Sequence, residues 1–144
     1  MIFDTGPLVA ALDRDDQDHY RCAELLATAP GPLRVPGPVL TEVCYMLERK
    51  RGSAAEAVFL NARAAEELDL IAVTTADLAR MAELVATYAD LPLGAVDASV
   101  LAVAERLDDL DVATLDRRHF TILLWPDVRR EHVGVVAGEH VVGR

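Results

Sequence analysis

Four carboxylates occupy positions where the surrounding sequence is apolar, and their chemistry suits a hard metal cation. Asp4 and Asp116 each follow a short apolar segment that is typical of a strand. Glu42 and Asp97 each fall in the predicted first turn of a helix that follows a strand or a connector. Because the carboxyl ends of parallel strands share one sheet edge with the helices that begin there, we expect the four acids to converge. A bound Mg²⁺ or Mn²⁺ takes oxygen ligands and would relieve their mutual repulsion.

A site built from carboxylates and a divalent cation suits phosphoryl transfer. The cation holds the phosphate, lowers the pKa of a water and stabilises the leaving oxygen. The sequence offers no convincing covalent nucleophile, because Cys22 and Cys44 fall in apolar helical segments and no serine has an evident histidine partner. The pattern therefore predicts hydrolysis by a metal-activated water.

Each acid also has a purely structural explanation when it is taken alone. An acid near a helix N-terminus interacts favourably with the helix dipole, and an acid after a strand often caps a turn. Asp97 is the hardest to explain in this way, because residues 95–104 carry no other charge. A carboxylate in such a segment is costly unless a cation or hydrogen bonds meet it.

Short strand-like segments alternate with helical ones along the chain. The predicted strands cover residues 1–3, 33–40, 70–73, 112–115, 121–124 and 133–136. Such alternation predicts an α/β fold with a parallel sheet covered by helices on both faces and right-handed crossovers. In sheets of this kind ligands bind beyond the carboxyl ends of the strands.

The predicted helices carry start signals in the sequence. Pro7 suits the first turn of the first helix, with Thr5 or Gly6 as its cap. Further helices are predicted at residues 20–27, around 42–47, at 53–68 behind a capping box, and at 95–107. Another helix begins at the caps Thr74 and Asp77. Its apolar face is predicted to comprise Leu78, Met81, Val85 and Tyr88.

The composition predicts one acidic, soluble domain. The 144 residues include 14 Lys and Arg against 24 Asp and Glu, a formal net charge of −10, and the length predicts a single domain over residues 1–144. So acidic a surface repels phosphate backbones, so binding to nucleic acid needs local cations or a bridging metal. The chain has no apolar stretch of membrane-spanning length and no basic signal segment. With two cysteines that lack a partner spacing, this predicts a protein of the reducing cytoplasm.

Two clusters of cations provide local positive charge. Arg117 and Arg118 directly follow Asp116, which places them within reach of a phosphate held there, with a solvated turn as the alternative. The Arg-Lys-Arg run at residues 49–51 is interpreted as a solvated helix end. The acidic run at residues 13–18 superficially resembles a calcium loop, but its sixth position is Asp18 instead of the required glycine, so we interpret it as a solvated loop.

Four short motifs occur in a recognisable order along the chain. They are Asp4-Thr5-Gly6-Pro7-Leu8, Thr41-Glu42, Asp97-Ala98-Ser99 and Thr114-Leu115-Asp116-Arg117-Arg118-His119-Phe120. In this order they resemble the motifs of the PIN-domain family, and more narrowly those of its VapC-type toxins. The resemblance implies a three-layer α/β/α sandwich with a central parallel sheet. It also implies a Mg²⁺- or Mn²⁺-dependent endoribonuclease that cleaves tRNA or rRNA, forms homodimers and is inhibited by a cognate antitoxin protein.

The resemblance implies roles for individual residues. The family's acidic quartet, which binds the metal and carries catalysis, is matched by Asp4, Glu42, Asp97 and Asp116. Thr114 matches the hydroxyl position before the last acid, and we assign it to substrate binding together with Arg117 and Arg118. Gly6 departs from the family, in which many members carry Ser or Thr after the Asp-Thr pair. This departure removes a polar contact but no metal ligand.

Two other functions fit parts of the sequence. A catalytically silent binding module would keep the fold, but the presence of all four acids argues against it. Another Mg²⁺-dependent phosphotransfer domain, such as a receiver or a phosphatase, would use an Asp nucleophile and a Lys near a strand end. Lys50, the sole lysine, falls in a helical segment, and no Asp-x-Asp motif ends the first strand. A ribonuclease toxin is therefore the leading hypothesis.

Overall fold

The centre of the fold is a four-stranded parallel sheet. The computed structural model describes residues 1–109 and 111–116, apart from the side chain of residue 63. The strands are β1 (Ile2–Phe3), β2 (Arg34–Pro36), β3 (Asp69–Ile71) and β4 (Val112–Ala113). Their spatial order is β3-β2-β1-β4 and each pairing is parallel. The order therefore reverses between β1 and β4, which is where an open α/β sheet forms a binding crevice.

The strands are shorter than the sequence predicts. The segment predicted at residues 33–40 leaves the sheet after Pro36, because Gly37 already begins a helix that has a proline in its first turn. The segments predicted at 70–73 and 112–115 form strands only at 69–71 and 112–113. The strands predicted at 121–124 and 133–136 lie outside the described residues.

Six helices flank the sheet in the described part of the chain. They are α1 (Thr5–Leu12), α2 (His19–Thr28), α3 (Gly37–Arg51), α4 (Ser53–Ala64), α5 (Thr75–Thr87) and α6 (Ala95–Leu107). None of these helices has both the length and the apolar character needed to cross a membrane. The parallel sheet and its flanking helices agree with the predicted three-layer α/β/α arrangement.

Two helix boundaries differ from the prediction. The cap of α1 is Asp4 rather than Thr5 or Gly6, because the Asp4 side chain accepts a hydrogen bond from the Thr5 amide while its own backbone is extended. The helix predicted at 53–68 ends at Ala64. Beyond it, Glu66 adopts a left-handed conformation with φ of 61°, which turns the chain toward β3.

The start of α5 is confirmed, but its apolar face is not the predicted one. Thr74 and Asp77 form a reciprocal capping box. Met81 is buried as predicted, whereas Leu78 and Val85 are 55% and 39% exposed. The buried face instead contains Asp77 itself, because Nε of Arg106 on α6 donates to both oxygens of the Asp77 carboxylate at 3.0 Å.

The helix predicted at 95–107 is confirmed with the same bounds and forms the apolar centre of the molecule. All seven residues 98–104 are buried. The helix packs against α3, α5, β1 and β2. Asp97, in its first turn, therefore has a fixed position beside the sheet edge.

Candidate active site

All four predicted acids line one open pocket at the carboxyl edge of the sheet. Asp4 follows β1 and Asp116 follows β4, so the pocket lies at the reversal of strand order. Its lining comprises Asp4, Thr5, Gly6, Glu42, Met46, Asp97, Leu115 and Asp116. The topology thus brings together residues from the first and the last described strands.

Asp4 is the most enclosed of the four acids, with 7% of its surface exposed. Its Oδ1 accepts the Thr5 amide hydrogen at 2.7 Å, and its Oδ2 accepts the Thr114 hydroxyl at 2.9 Å. Burial raises the pKa of Asp4 to about 6, the two hydrogen bonds oppose this, and the charges of Asp97 and Glu42 add to it. The negative charge of Asp4 is therefore costly in the absence of a cation.

Glu42 lies one turn deeper in α3 than predicted, because the helix already begins at Gly37. Its Oε2 accepts the hydroxyl hydrogen of Thr5 at 2.5 Å. Thr5 thus contacts two acids, Asp4 through its amide and Glu42 through its hydroxyl. The sequence indicated Thr5 only as a helix cap, although a hydroxyl directly after an acid at a helix start was a signal for this bridging role.

Asp97 occupies the third position of α6, and its Oδ2 accepts the Gly94 amide hydrogen at 3.3 Å. This bond offsets part of the cost of placing a carboxylate in an apolar helix. The same side chain lines the pocket and acts electrostatically on Asp4. Asp97 therefore has both a structural role at the start of α6 and a place in the pocket.

Thr114, which the sequence assigns to substrate binding, is fully buried. Its hydroxyl donates to Asp4 and accepts the amide hydrogen of Asp116 at 3.0 Å, so it positions these two acids. Arg117 and Arg118, the other residues predicted to bind substrate, lie outside the described residues.

The pocket offers the right donor atoms for a divalent cation, but the acids are not gathered around one point. Within residues 1–109 and 111–116, no three Asp, Glu, His or Cys side chains form a group ready to hold a metal ion. The hydrogen bonds from Thr5 and Gly94 occupy one carboxylate oxygen each of Asp4, Glu42 and Asp97. Carboxylate oxygens suit Mg²⁺ or Mn²⁺, and ligation by this set requires side-chain rotation or bridging water.

Two other features predicted from the sequence have structural roles. The carboxylate of Asp13 accepts a 2.7 Å hydrogen bond from Nε of Arg51, joining the end of α1 to the end of α3. Burial opposes ionisation of Asp13, but hydrogen bonds from Arg51 and Asp15 outweigh this effect and lower the pKa of Asp13.

The two cysteines are both free thiols. Cys22 is buried and burial raises its thiol pKa to about 11, while Cys44 is half-buried. Burial also raises the pKa of the Cys44 thiol, so both shifts disfavour a nucleophilic thiolate.

The sequence profile of the PIN domain matches residues 1–122. This chain belongs to the PIN-domain family. The matched span contains all four acids of the pocket. The predicted resemblance is therefore confirmed over most of the chain.

Known proteins similar to this PIN domain include VapC proteins from two bacteria. Ribonuclease VapC26 of Mycobacterium tuberculosis (strain ATCC 25618 / H37Rv) is 32% identical over 123 residues, 85% of this chain and 91% of the relative. The crystal structure of VapC20 from Mycobacterium tuberculosis, a toxin that cleaves the sarcin-ricin loop, has a TM-score of 0.80 at 23% identity, with 90% and 99% of the two chains covered. The structure of VapBC2 from Rickettsia felis, bound to a DNA fragment from its promoter, has a TM-score of 0.60 at 19% identity, with 85% and 92% covered. The two structures support the fold of this PIN domain.

Proposed function

We propose that this PIN domain is a metal-dependent endoribonuclease that acts as the toxin of a toxin–antitoxin pair. The observation that carries the proposal is the convergence of Asp4, Glu42, Asp97 and Asp116 on one pocket at the reversal of strand order. The 32% identity to a ribonuclease over most of both chains supports an RNA substrate.

The four acids would hold Mg²⁺ or Mn²⁺. When bound, such a cation supplies a water of lowered pKa and positive charge for the phosphate and leaving oxygen. The chain's own contribution is to orient the oxygen atoms. Thr114 and Thr5 fix the two oxygens of Asp4, and Thr5 also fixes Glu42. The raised pKa of Asp4 means that a nearby positive charge would stabilise its charged form.

Substrate and partner follow from charge. Arg117 and Arg118 directly follow Asp116 and would steady the RNA backbone beside it. The net charge of −10 suits a basic segment of an antitoxin protein, and the similar structure from Rickettsia felis is a VapBC complex. The RNA target would be tRNA or rRNA, in the cytoplasm.

A catalytically silent PIN-fold binding module is the second candidate. It is favoured by one observation, the lack of a ready three-ligand group among the described side chains. The two candidates differ in a single property, which is hydrolysis of RNA in the presence of a divalent cation.

The decisive experiment compares RNA cleavage by wild-type protein and Asp97→Asn, with Mn²⁺ and with EDTA. We expect cleavage by the wild type with Mn²⁺, reversible loss of it in EDTA, and no cleavage by Asp97→Asn. Asn retains an oxygen for the Gly94 amide, so the helix cap survives. Asp69→Asn is the matched control, because Asp69 is exposed and begins β3, at the sheet edge opposite to the pocket. Cleavage by Asp97→Asn at the wild-type rate would refute the assignment.

A further inference from the structure

We propose that Tyr45 and Arg49 on α3 form an RNA subsite next to the acidic pocket, with the tyrosine ring stacking on an unpaired base and the arginine contacting a phosphate. This inference rests on the proposed ribonuclease function. It concerns a surface outside the acidic quartet and defines where the nucleotide beside the cleaved bond would lie.

The position of the pair follows from the geometry of α3. Glu42 and Met46 of this helix line the pocket. At 3.6 residues per turn, Arg49 lies almost in line with Glu42, about 10 Å further along the helix axis. Tyr45 lies between them, one turn from each. α3 begins directly after β2 at the carboxyl edge of the sheet, so the side of α3 that carries Glu42 continues away from that edge through Tyr45 and then Arg49.

Tyr45 is held in place although it is exposed. Its side chain is 59% exposed, while Val39, Val43 and Leu47 fasten the opposite side of α3 in the core. Nη1 of Arg49 donates a 2.9 Å hydrogen bond to the Tyr45 hydroxyl, and the guanidinium carbon lies 5.5 Å from the ring centre. These contacts favour one orientation of the exposed ring, which lowers the conformational cost of stacking a base on it.

The charge of Arg49 is available to a phosphate. Lys50 lies 3.9 Å from the carboxylate of Asp13, and Arg51 donates to that same carboxylate. The described hydrogen bond of Arg49, in contrast, is to the neutral hydroxyl of Tyr45. Among the three cations that end α3, Arg49 is therefore the one that acids of the described residues do not hold. On a chain with a net charge of −10, such a cation beside the pocket is what an RNA backbone requires.

An exposed aromatic ring beside a cation fits single-stranded RNA better than a duplex. Stacking on the ring needs a base that has left its own stack, as in a loop or a bulge. Stacking is also tolerant of sequence, because every base has a π-face. The subsite would therefore position the strand and leave the choice of cleavage site to other contacts.

The test is a binding measurement that does not depend on cleavage. The probes are a fluorescein-labelled single-stranded RNA of mixed sequence and the same backbone with abasic sites, titrated in EDTA and followed by anisotropy. On the intact RNA we expect Tyr45→Ala to raise Kd about tenfold and Tyr45→Phe to retain most of the affinity. On the abasic RNA we expect Tyr45→Ala to match the wild type. We expect Arg49→Ala to weaken binding and to reduce the salt slope by about one.

Tyr20→Ala is the matched control, because Tyr20 is 85% exposed on α2, a helix that contributes no residue to the lining of the pocket. It should bind both RNAs as the wild type does. An unchanged Kd for Tyr45→Ala on intact RNA, or an equal loss on both RNAs, would overturn the proposal. So would normal RNA binding by Tyr45→Ala combined with lost binding of a protein partner, since the surface would then serve that protein.

A cleavage assay separates this inference from the proposed function. Wild-type protein that binds RNA through Tyr45 but never cleaves it with Mn²⁺ would refute the nuclease and leave the subsite in place. Protein that cleaves RNA with the same KM in the wild type and in Tyr45→Ala would refute the subsite and leave the nuclease in place.

Discussion

The hydroxyl of Thr114 donates a 2.9 Å hydrogen bond to Oδ2 of Asp4, a residue 110 positions earlier in the chain. The same oxygen accepts the amide hydrogen of Asp116 at 3.0 Å. A single buried side chain thus ties the acid after β1 to the acid after β4. This one hydroxyl therefore contacts both acids that flank the reversal of strand order.

Removing that hydroxyl should weaken both the fold and the site. In Thr114→Val the buried oxygen of Asp4 loses its donor, so we expect the free energy of unfolding to fall by about 1–3 kcal/mol. The pKa of Asp4 should rise further, because the lost hydrogen bond favours the charged form. Urea denaturation measures the first effect. Thr114→Ser retains the hydroxyl, and equal denaturation midpoints for the Val and Ser variants would contradict the expectation.

Asp4 should make the stability of the metal-free protein depend on pH. Its pKa is about 6 when folded, against 3.8 ordinarily, chiefly because it is buried. Between these pH values the unfolded chain releases the Asp4 proton while the folded chain keeps it, so the free energy of unfolding falls as pH rises. The stabilisation that the protonated Asp4 contributes is fully present below about pH 3.8 and is lost as the pH rises through about 6. The free energy of unfolding falls by up to about 3 kcal/mol over this range.

The neutral variant Asp4→Asn tests this pH dependence. Asparagine does not ionise. We therefore expect the free energy of unfolding of Asp4→Asn to rise relative to that of the wild type as the pH increases from about 4 to 7. The measurement is a series of urea titrations in EDTA. Asp69→Asn serves as the control and should run parallel to the wild type, whereas parallel curves for Asp4→Asn would show that burial does not perturb Asp4.

Divalent cations should stabilise the wild type more than Asp116→Asn. An ion at about a hundred times its Kd adds about 2.7 kcal/mol to the stability of a protein that binds it only when folded. Asp116→Asn should be neutral or stabilising without metal, since it removes a like charge, and should lose most of the gain with Mn²⁺. Melting curves with and without Mn²⁺ decide the matter. If Asp116 only caps a turn, the variant loses about 1 kcal/mol and neither protein responds to Mn²⁺.

Arg117 and Arg118 should contribute to RNA affinity through charge. Changing both to Ala should weaken binding and flatten the dependence of log Kd on log salt concentration by about two. Anisotropy titrations over a range of salt concentrations measure the slope. If the salt dependence of log Kd does not change, Arg117 and Arg118 do not contact the RNA backbone and the alternative of a solvated turn holds.

We expect the protein to form a homodimer in solution, as the family resemblance implies. Light scattering at micromolar concentration and moderate salt measures the mass directly. A monomer mass under these conditions would contradict this expectation.

The sequence predicted the convergence of the acids because that convergence needs only strand order and chain direction. Asp4 and Asp116 follow parallel strands, so their placement at one edge is a consequence of topology. The bounds of α6 were equally accessible, since a mostly apolar segment begins after Gly94 and gives way to acidic residues after Leu107; the structure ends the helix at the left-handed Asp108.

Other features depend on contacts between distant residues, which a local pattern does not contain. The Thr5 hydroxyl reaches Glu42 only because α1 and α3 pack together. The apolar spacing in α5 allowed two neighbouring faces, and the ion pair between Asp77 and Arg106 selects the face that includes Asp77. The sequence identified Thr114 as a hydroxyl near the last acid, and its complete burial becomes evident only in the folded chain.

The pairing of β1 with β4 also has a consequence for synthesis on the ribosome. β1 lies between β2 and β4, so the early chain can pair β1 with β2 long before β4 exists. The last acid of the pocket follows β4 and emerges after more than a hundred preceding residues. A nascent chain therefore has no complete acidic pocket until β4 has docked, and a chain whose translation stops before β4 carries only three of the four acids.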